Sequence, residues 1–180
     1  MSATERGPIF FLTGAPGIGK STVARALANR FKRAVHIDID QIRLMVTKGL
    51  SLPGPWNMTE ATTTQFELAH FSAGLQAKTY ADAGFAVVAE HCSHVSYIEK
   101  FVPSAGSTTI VALTAEIEVN LYRNSLRSSG SFDYSSLDFI IPMLAEGFRQ
   151  EFREAGIPII ETTNLTVEET VDLILKFHQR

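Results

Sequence analysis

The sequence predicts a three-layer α/β fold, a parallel β-sheet covered by helices on both faces, and three observations carry that prediction. Five short apolar runs alternate with longer stretches of helical periodicity along the 180 residues, the order that builds parallel strands joined by helical crossovers. The first apolar run closes on a glycine-rich stretch that opens directly into a helix. No internal repeat, low-complexity tract or linker-like composition breaks the alternation, so residues 1–180 are expected to form a single domain, for which the length and 45% hydrophobic content suffice.

Ile9-Phe10-Phe11-Leu12-Thr13 is closed by glycine and has the pattern of a strand buried on both faces, which places it first and at the centre of the sheet. Val23, Ala24, Leu27 and Phe31 recur at helical spacing and predict a helix over Lys20–Phe31. Ala34–Asp38 reads as the second strand and Gln41–Lys48 as a short helix. Pro53, Gly54 and Pro55 break both periodicities, so residues 49–58 are expected to form a mobile loop. Thr64-Gln65-Phe66-Glu67 has capping-box spacing and predicts the start of a long helix, with Phe66, Ala69, Ala73, Ala77 and Tyr80 on one face. Phe85–Glu90, Thr108–Thr114 and Ile157–Glu161 supply three further strands, each separated from the next by helical sequence; Glu116–Arg127, Leu137–Ala155 and Val167–His178 are the later helices. Ligands of such a sheet lie at the carboxyl ends of its strands.

Composition narrows the partners. A formal net charge of -3 leaves no basic field to hold a long polyanion, which disfavours nucleic acid. Cys92 is the single cysteine, so no internal disulfide is possible and a reducing compartment fits. The stretch Met1–Pro8 is short and polar, and no apolar run approaches the ~20 residues that span a bilayer. A cytoplasmic protein without a membrane partner is therefore expected. Its oligomeric state is not legible.

The strongest motif is Gly14-Ala15-Pro16-Gly17-Ile18-Gly19-Lys20-Ser21, followed by Thr22. Glycines at 14, 17 and 19 let the backbone turn tightly and aim its N–H groups inward, forming an anion site where a helix begins. Lys20 is expected to reach the β- and γ-phosphates of ATP, and the Ser21 hydroxyl to take one position around Mg²⁺. A glycine-rich turn that binds nothing is the alternative, and it leaves the strand before the motif and the helix after it without a purpose. GTPases need an Asn-Lys-x-Asp string and transporter ATPases a Leu-Ser-Gly-Gly signature, and neither occurs. Motor and helicase cores need a longer chain. A compact kinase remains.

Asp38 and Asp40 close the second strand, beside the phosphate loop. Asp40 suits two roles: it can cap a helix beginning at Gln41, or accept the proton of an attacking hydroxyl. Arg43, within one helical turn, is placed to hold an anionic or polar part of the acceptor. Arg123 and Arg127 stand four apart on one expected helix face, followed by Ser128-Ser129-Gly130-Ser131. That arrangement predicts a lid over residues 122–136 which brings guanidinium groups onto the transferring phosphoryl oxygens, although a solvated basic face has the same spacing.

On Gly14–Ser21, Asp40 with Arg43, Arg123 with Arg127, and the order of elements across nearly the whole chain, the sequence resembles the small P-loop kinases. That group includes chloramphenicol phosphotransferase, the kinase domain of polynucleotide kinase and the zeta toxins. The resemblance implies a five-stranded parallel sheet in the order 2-3-1-4-5, with Asp40 activating the acceptor hydroxyl. Arg43 matches the substrate-phosphate arginine of polynucleotide kinases by spacing. Many relatives carry an aspartate where Glu90 ends its strand, orienting magnesium-bound water or the acceptor; Glu90 is longer, and a solvated carboxylate at the sheet edge is equally in keeping. The resemblance also implies contact of Thr162-Thr163-Asn164 with adenine through backbone groups.

His91, Cys92 and His94 crowd together without the partners of a zinc site and are read as lining the acceptor pocket or packing locally. Trp56 can stack on an acceptor or anchor its own loop. The leading expectation is transfer of the γ-phosphoryl group of ATP to a hydroxyl of a small molecule. The alternatives are phosphorylation of a 5′-hydroxyl of a polynucleotide or nucleoside, and a nucleotide-binding switch without catalysis. The acceptor, the choice between ATP and GTP, and a role in resistance, metabolism or toxicity are not legible.

Overall fold

The computed structural model of the chain describes residues 5–53, 58–127 and 134–179. Trp56 and the Ser128–Ser131 stretch lie outside the described residues.

Five parallel strands, β1 (Ile9–Thr13), β2 (Ala34–Asp38), β3 (Ala86–Glu90), β4 (Thr109–Thr114) and β5 (Ile159–Glu161), form one sheet in the order β2-β3-β1-β4-β5. The expected order is the observed one. Seven helices, α1 (Lys20–Ala28), α2 (Ile39–Arg43), α3 (Glu60–Asp82), α4 (Val95–Ala105), α5 (Ile117–Ser125), α6 (Ile141–Glu154) and α7 (Val167–His178), are found among the described residues, with a 3₁₀ turn at Tyr134–Leu137 before α6.

The sheet is central because successive residues of β1 supply both cores. Ile9 and Phe11 join the layer of α3, α4 and α6, where Phe101, Phe148 and Phe152 are buried; Phe10 and Leu12 join the layer of α1 and α7 with Leu27, Val171 and Ile174. Such period-two division between two apolar faces is what a continuous hydrophobic strand requires. On α3 the inner stripe is Ala69, Ala73, Ala77 and Ala81, all buried. Small residues there let α3 approach α4 so closely that a Cβ at Gly74 would lie 2.5 Å from the Phe101 carbonyl oxygen.

Several boundaries differ from the sequence reading, each for a local reason. Helix α1 stops at Ala28 rather than Phe31 because the chain tightens into three-residue turns, the Arg30 amide donating to Leu27 O and the Phe31 amide to Ala28 O. Helix α2 begins at Ile39 and ends at Arg43, displaced from the expected Gln41–Lys48, because Asp38 is its cap. The long helix starts at Glu60: Thr59 accepts the Thr62 amide, and Thr64 lies inside the helix instead of capping it. Tyr80 is 41% exposed, and Ala81 takes the inner position expected for it. Helix α4, given no bounds by the sequence pattern, is capped from outside, its Val95 amide donating to Glu151 Oε1 at 2.7 Å. The helix expected from Leu137 starts at Ile141, after the 3₁₀ turn.

Parallel strands bring their carboxyl ends to one edge. Asp38 pairs in register with Glu90, and Thr114 with Glu161. The loop from Gly14 to Gly19 leaves β1 at the same edge, so the phosphate loop and the strand-end carboxylates meet there without any long-range adjustment.

Candidate active site

Gly14, Gly17 and Gly19 have φ values of 143°, 80° and 101°, in the left-handed region that side chains disfavour. Gly17 is also pressed from behind. A Cβ there would lie 2.9 Å from Asn124 Cβ and 3.0 Å from Asn120 Oδ1, so the loop has room for glycine alone. Gly19 caps α1 without a side-chain bond, which leaves the first N–H groups of the helix for an anion. Lys20 folds over the loop, its Nζ donating to Gly14 O at 3.1 Å and Ala15 O at 3.0 Å. Thr22 is exposed on α1, and Pro16 is half-buried.

The Ser21 hydroxyl donates to Glu90 Oε1 at 2.6 Å. Glu90 is buried, and His36 Nε2 lies 3.6 Å from the same oxygen. Burial works against its charge, but His36, the Lys20 cation and the Ser21 hydroxyl outweigh it and hold the carboxyl below its usual range. The solvated-edge alternative for Glu90 is therefore replaced by a buried carboxylate tied to the phosphate loop. Burial, followed by the charges of Glu90 and Asp40, raises Asp38 instead.

Asp38 and Asp40 are held differently. Asp38 Oδ1 accepts the Asp40 amide at 3.0 Å and caps α2. Asp40 is in the first turn of α2, so the cap role considered for it belongs to its neighbour. Its side chain, 48% exposed, has Oδ1 3.5 Å from Arg43 Nη2 and 3.4 Å from His91 Nε2. Burial works against its charge here too, yet the His91 ring against Oδ1 and the charges of Arg43 and Lys20 hold Asp40 far below the usual carboxylate range. Arg43 is committed to the protein: it pairs with Asp40, lies 4.5 Å over the Phe66 ring, and reaches Ser51 O at 3.4 Å.

Arg123 does not point outward. Its Nη1 donates to Thr162 Oγ1 at 2.9 Å and to Ile18 O at 3.4 Å, and its Nη2 to Thr162 O at 2.9 Å. The guanidinium thus joins the phosphate loop to the turn after β5. Helix α5 ends at Ser125, so Arg127 lies beyond it and the two arginines do not share a helix face.

No protein-family model and no curated protein matches the sequence. Solved structures do match in fold. Shikimate kinase from Acinetobacter baumannii in complex with shikimate superimposes with a TM-score of 0.66 at 21% identity, over 98% of this chain and 96% of that one. A gluconokinase from Sinorhizobium meliloti 1021 gives 0.63 at 22% identity over 98% and 94%, and the Deinococcus radiodurans tunicamycin resistance protein 0.62 at 16% over 95% of each. The fold is that of the small P-loop kinases.

Within this P-loop kinase fold, some neighbours of the site were not singled out by sequence. His70 and Ser93 are buried behind His91, joined to it by hydrogen bonds. Nothing local marks them: His70 occupies an inner α3 position that reads as core. Asn120, 1% exposed, backs Gly17 with neither side-chain amide atom hydrogen-bonded. His94 turns away from His91 to Glu151 Oε2 at 2.8 Å, and burial pushes the Cys92 thiol up to about 11. Among the described residues, no group of three or more His, Cys, Asp or Glu side chains is placed to hold a metal ion. No helix among them is long and apolar enough to cross a membrane.

Proposed function

We propose that this P-loop kinase fold is an enzyme that transfers the γ-phosphoryl group of ATP to a hydroxyl of a small molecule. The observation that carries the reading is the half-exposed Asp40 carboxylate at the edge that bears Lys20 and the Ser21–Glu90 pair. A switch that only binds nucleotide has no use for an open carboxylate there; a kinase does.

The phosphates of ATP fit the loop from Gly14 to Thr22, whose backbone N–H groups and Lys20 meet the negative charge. The hard hydroxyl oxygen of Ser21 fits Mg²⁺, which when bound with the nucleotide neutralises charge on the phosphates. By accepting the Ser21 proton, Glu90 leaves the hydroxyl lone pairs free to face outward. Asp40 takes the proton of the acceptor hydroxyl as its oxygen bonds to the γ-phosphorus; the bond from that phosphorus to the β-bridging oxygen breaks, and ADP leaves against Lys20. Arg123 acts here through the loop it anchors.

Residues 1–180 are taken as one kinase domain, with the acceptor between α2 and the segment 49–58. That segment is tethered where it is described: Gln65 Nε2 donates to Gly49 O at 2.7 Å, and Ser51 N donates to Gln65 Oε1 at 2.9 Å. Arg43 has its charge met by Asp40, which weakens the spacing argument for a 5′-phosphate partner and favours a small acceptor. The test is transfer of label from ATP into a metabolite extract with mass identification of the product. Labelled product absent from a Lys20→Ala control is expected; label no higher than in that control rejects the kinase reading.

A further inference from the structure

Behind Asp40 runs a buried chain of hydrogen bonds whose direction follows from one end. His70 Nδ1 lies 2.7 Å from the Phe66 carbonyl oxygen, which only accepts, so Nδ1 carries the hydrogen. Burial pushes His70 down to about 3, and the ring is neutral. Its Nε2 therefore accepts, and the donor is the Ser93 hydroxyl at 2.7 Å. Ser93 has one hydroxyl proton to give. With that proton spent, Ser93 Oγ must accept from His91 Nδ1 at 2.8 Å, so this nitrogen also carries a hydrogen. The atom left to face Asp40 is His91 Nε2, 3.4 Å from Oδ1.

Ser93 is held on a fixed backbone. It is fully buried, its amide donates to Thr13 Oγ1 at 3.2 Å, and the Thr13 hydroxyl donates to its carbonyl at 3.2 Å. A bare imidazole nitrogen and a carboxylate oxygen repel unless a proton lies between them. The pair therefore has a place for one proton, beside the open side of Asp40.

We propose that Ser93 and His70 lock His91 as the Nδ1–H tautomer, and that His91 so held is a positioning residue which orients Asp40 and shares the proton Asp40 takes up. The role rests on the kinase reading; the lock does not. In the transfer step the acceptor O–H bond breaks as the oxygen–phosphorus bond forms. The proton lands on Asp40, is held between Oδ1 and His91 Nε2, and leaves to solvent after the product. A lone carboxylate is a weak base at neutral pH, and a second acceptor atom against Oδ1 lets the proton be shared instead of resting on one oxygen. Arg43 and Lys20 meanwhile keep the carboxylate charged between turnovers.

Side-chain nitrogen NMR of the histidines in the full chain, at mildly alkaline pH, reads the lock directly. His91 is expected to carry its hydrogen on Nδ1, against the preference of a free imidazole, and Ser93→Ala to return it toward Nε2. Asp40→Asn should move the Nε2 resonance. Ser93→Ala should lower kcat about 10- to 100-fold, the scale carried by residues that orient a functional group from behind, with KM for ATP changed by less than about twofold. His91→Asn keeps a donor toward Ser93 and removes Nε2, so it should show the same split if Ser93→Ala fails to fold. A wild-type His91 protonated on Nε2 overturns the lock, and wild-type kcat in both variants overturns the positioning role. If the wild type transfers no phosphate, the kinase reading fails, and the tautomer measurement still decides the lock.

Discussion

Asp38 Oδ1 accepts the backbone N–H of Asp40 at 3.0 Å, so the first carboxylate of the pair builds the helix turn that presents the second. Two acids two residues apart thereby separate into different jobs. Asp38 is spent on the backbone, while Asp40 stands half-exposed beyond the end of β2 with His91 and Arg43 on its flanks. Substitutions at the two positions should fail in different ways.

Asp40→Asn keeps the size of the side chain, and the cap of α2 stays intact because Asp38 supplies it. Folding should change little. The carboxylate is lost, however, and general-base assistance contributes about 10²–10⁴-fold, so kcat is expected to fall by that order while the thermal shift produced by ATP remains. Turnover at the wild-type rate would move the base elsewhere, with Glu90 next to be tested.

Asp38→Ala removes the cap and should cost about 1 kcal/mol of stability, read as a lower midpoint in urea at unchanged slope. Since α2 carries Asp40, some loss of kcat should accompany it. Asp38→Asn can still accept the Asp40 amide and should recover most of both. If Asp38→Asn is as damaging as Asp38→Ala, the charge of Asp38 matters and capping is not its main role.

How the two acids were told apart shows where sequence reading stops. The phosphate loop was legible because its signal is local: an apolar strand, glycines at the required spacing, then Lys20 and Ser21 at a helix start. The parallel sheet followed from alternation, and its strand order from the resemblance alone. A helix start is uncertain by a residue or two when several caps compete, as at Asp38 and Asp40 or among Thr59, Thr62, Thr63 and Thr64, and only the backbone decides. Glu151 caps α4 from 56 residues away, and His70 meets Ser93 across 23. Contacts of that range have no periodicity to read. Arg123 looked like a lid residue because its spacing to Arg127 was visible and its partner Thr162 was not.

His70 predicts a specific pH dependence of stability. In the unfolded chain its ring titrates near the ordinary 6.5, whereas burial in the fold pushes it down to about 3. Between those values the unfolded state binds a proton that the native state refuses, so stability rises with pH there. The contribution is complete above about 6.5 and is lost as the pH falls toward 3. One such proton amounts to about 1.4 kcal/mol per pH unit. Asp38, whose carboxyl burial raises, moves toward the interval from 4.5 to 6.5 as well, so the difference between wild type and His70→Gln there, and not the interval by itself, isolates the histidine. Urea unfolding across that interval should show the slope in the wild type and a shallower one in His70→Gln. Equal slopes would mean that His70 opens to solvent in the folded protein.

Nucleotide binding should register as stability. A ligand held only by the folded state adds RT ln(1 + [L]/Kd), about 2.7 kcal/mol at a hundredfold excess over Kd. ATP or ADP with Mg²⁺ should therefore raise Tm, and Lys20→Ala should largely remove the effect. Ser21→Ala should weaken the part that depends on Mg²⁺, since it removes the hydroxyl that Glu90 orients. Absence of any nucleotide-linked rise at millimolar concentrations would count directly against the phosphate-loop assignment.

Arg123 offers the sharpest contrast between a residue that swings onto the phosphates and one that holds the loop beneath them. Its two terminal nitrogens are committed to Thr162 Oγ1, Thr162 O and Ile18 O, so the planar fork bridges the end of β5 and the phosphate loop. Arg123→Ala leaves those acceptors without their charged donor. Leaving partly buried partners unpaired costs about 1–3 kcal/mol, and part of that cost appears as disorder of the loop that must cradle ATP. The expected result is a lower Tm and a KM for ATP raised about tenfold, since 1.4 kcal/mol is a factor of ten. Arg123→Lys should recover little, because a point charge cannot reproduce the fork. Thr162→Val, which deletes one acceptor, should shift Tm and KM in the same direction by less. The lid role makes the opposite forecast: kcat falls while Tm and KM for ATP stay at wild-type values. That pattern would mean the bridge to Thr162 opens during turnover and Arg123 reaches the transferring phosphoryl group itself.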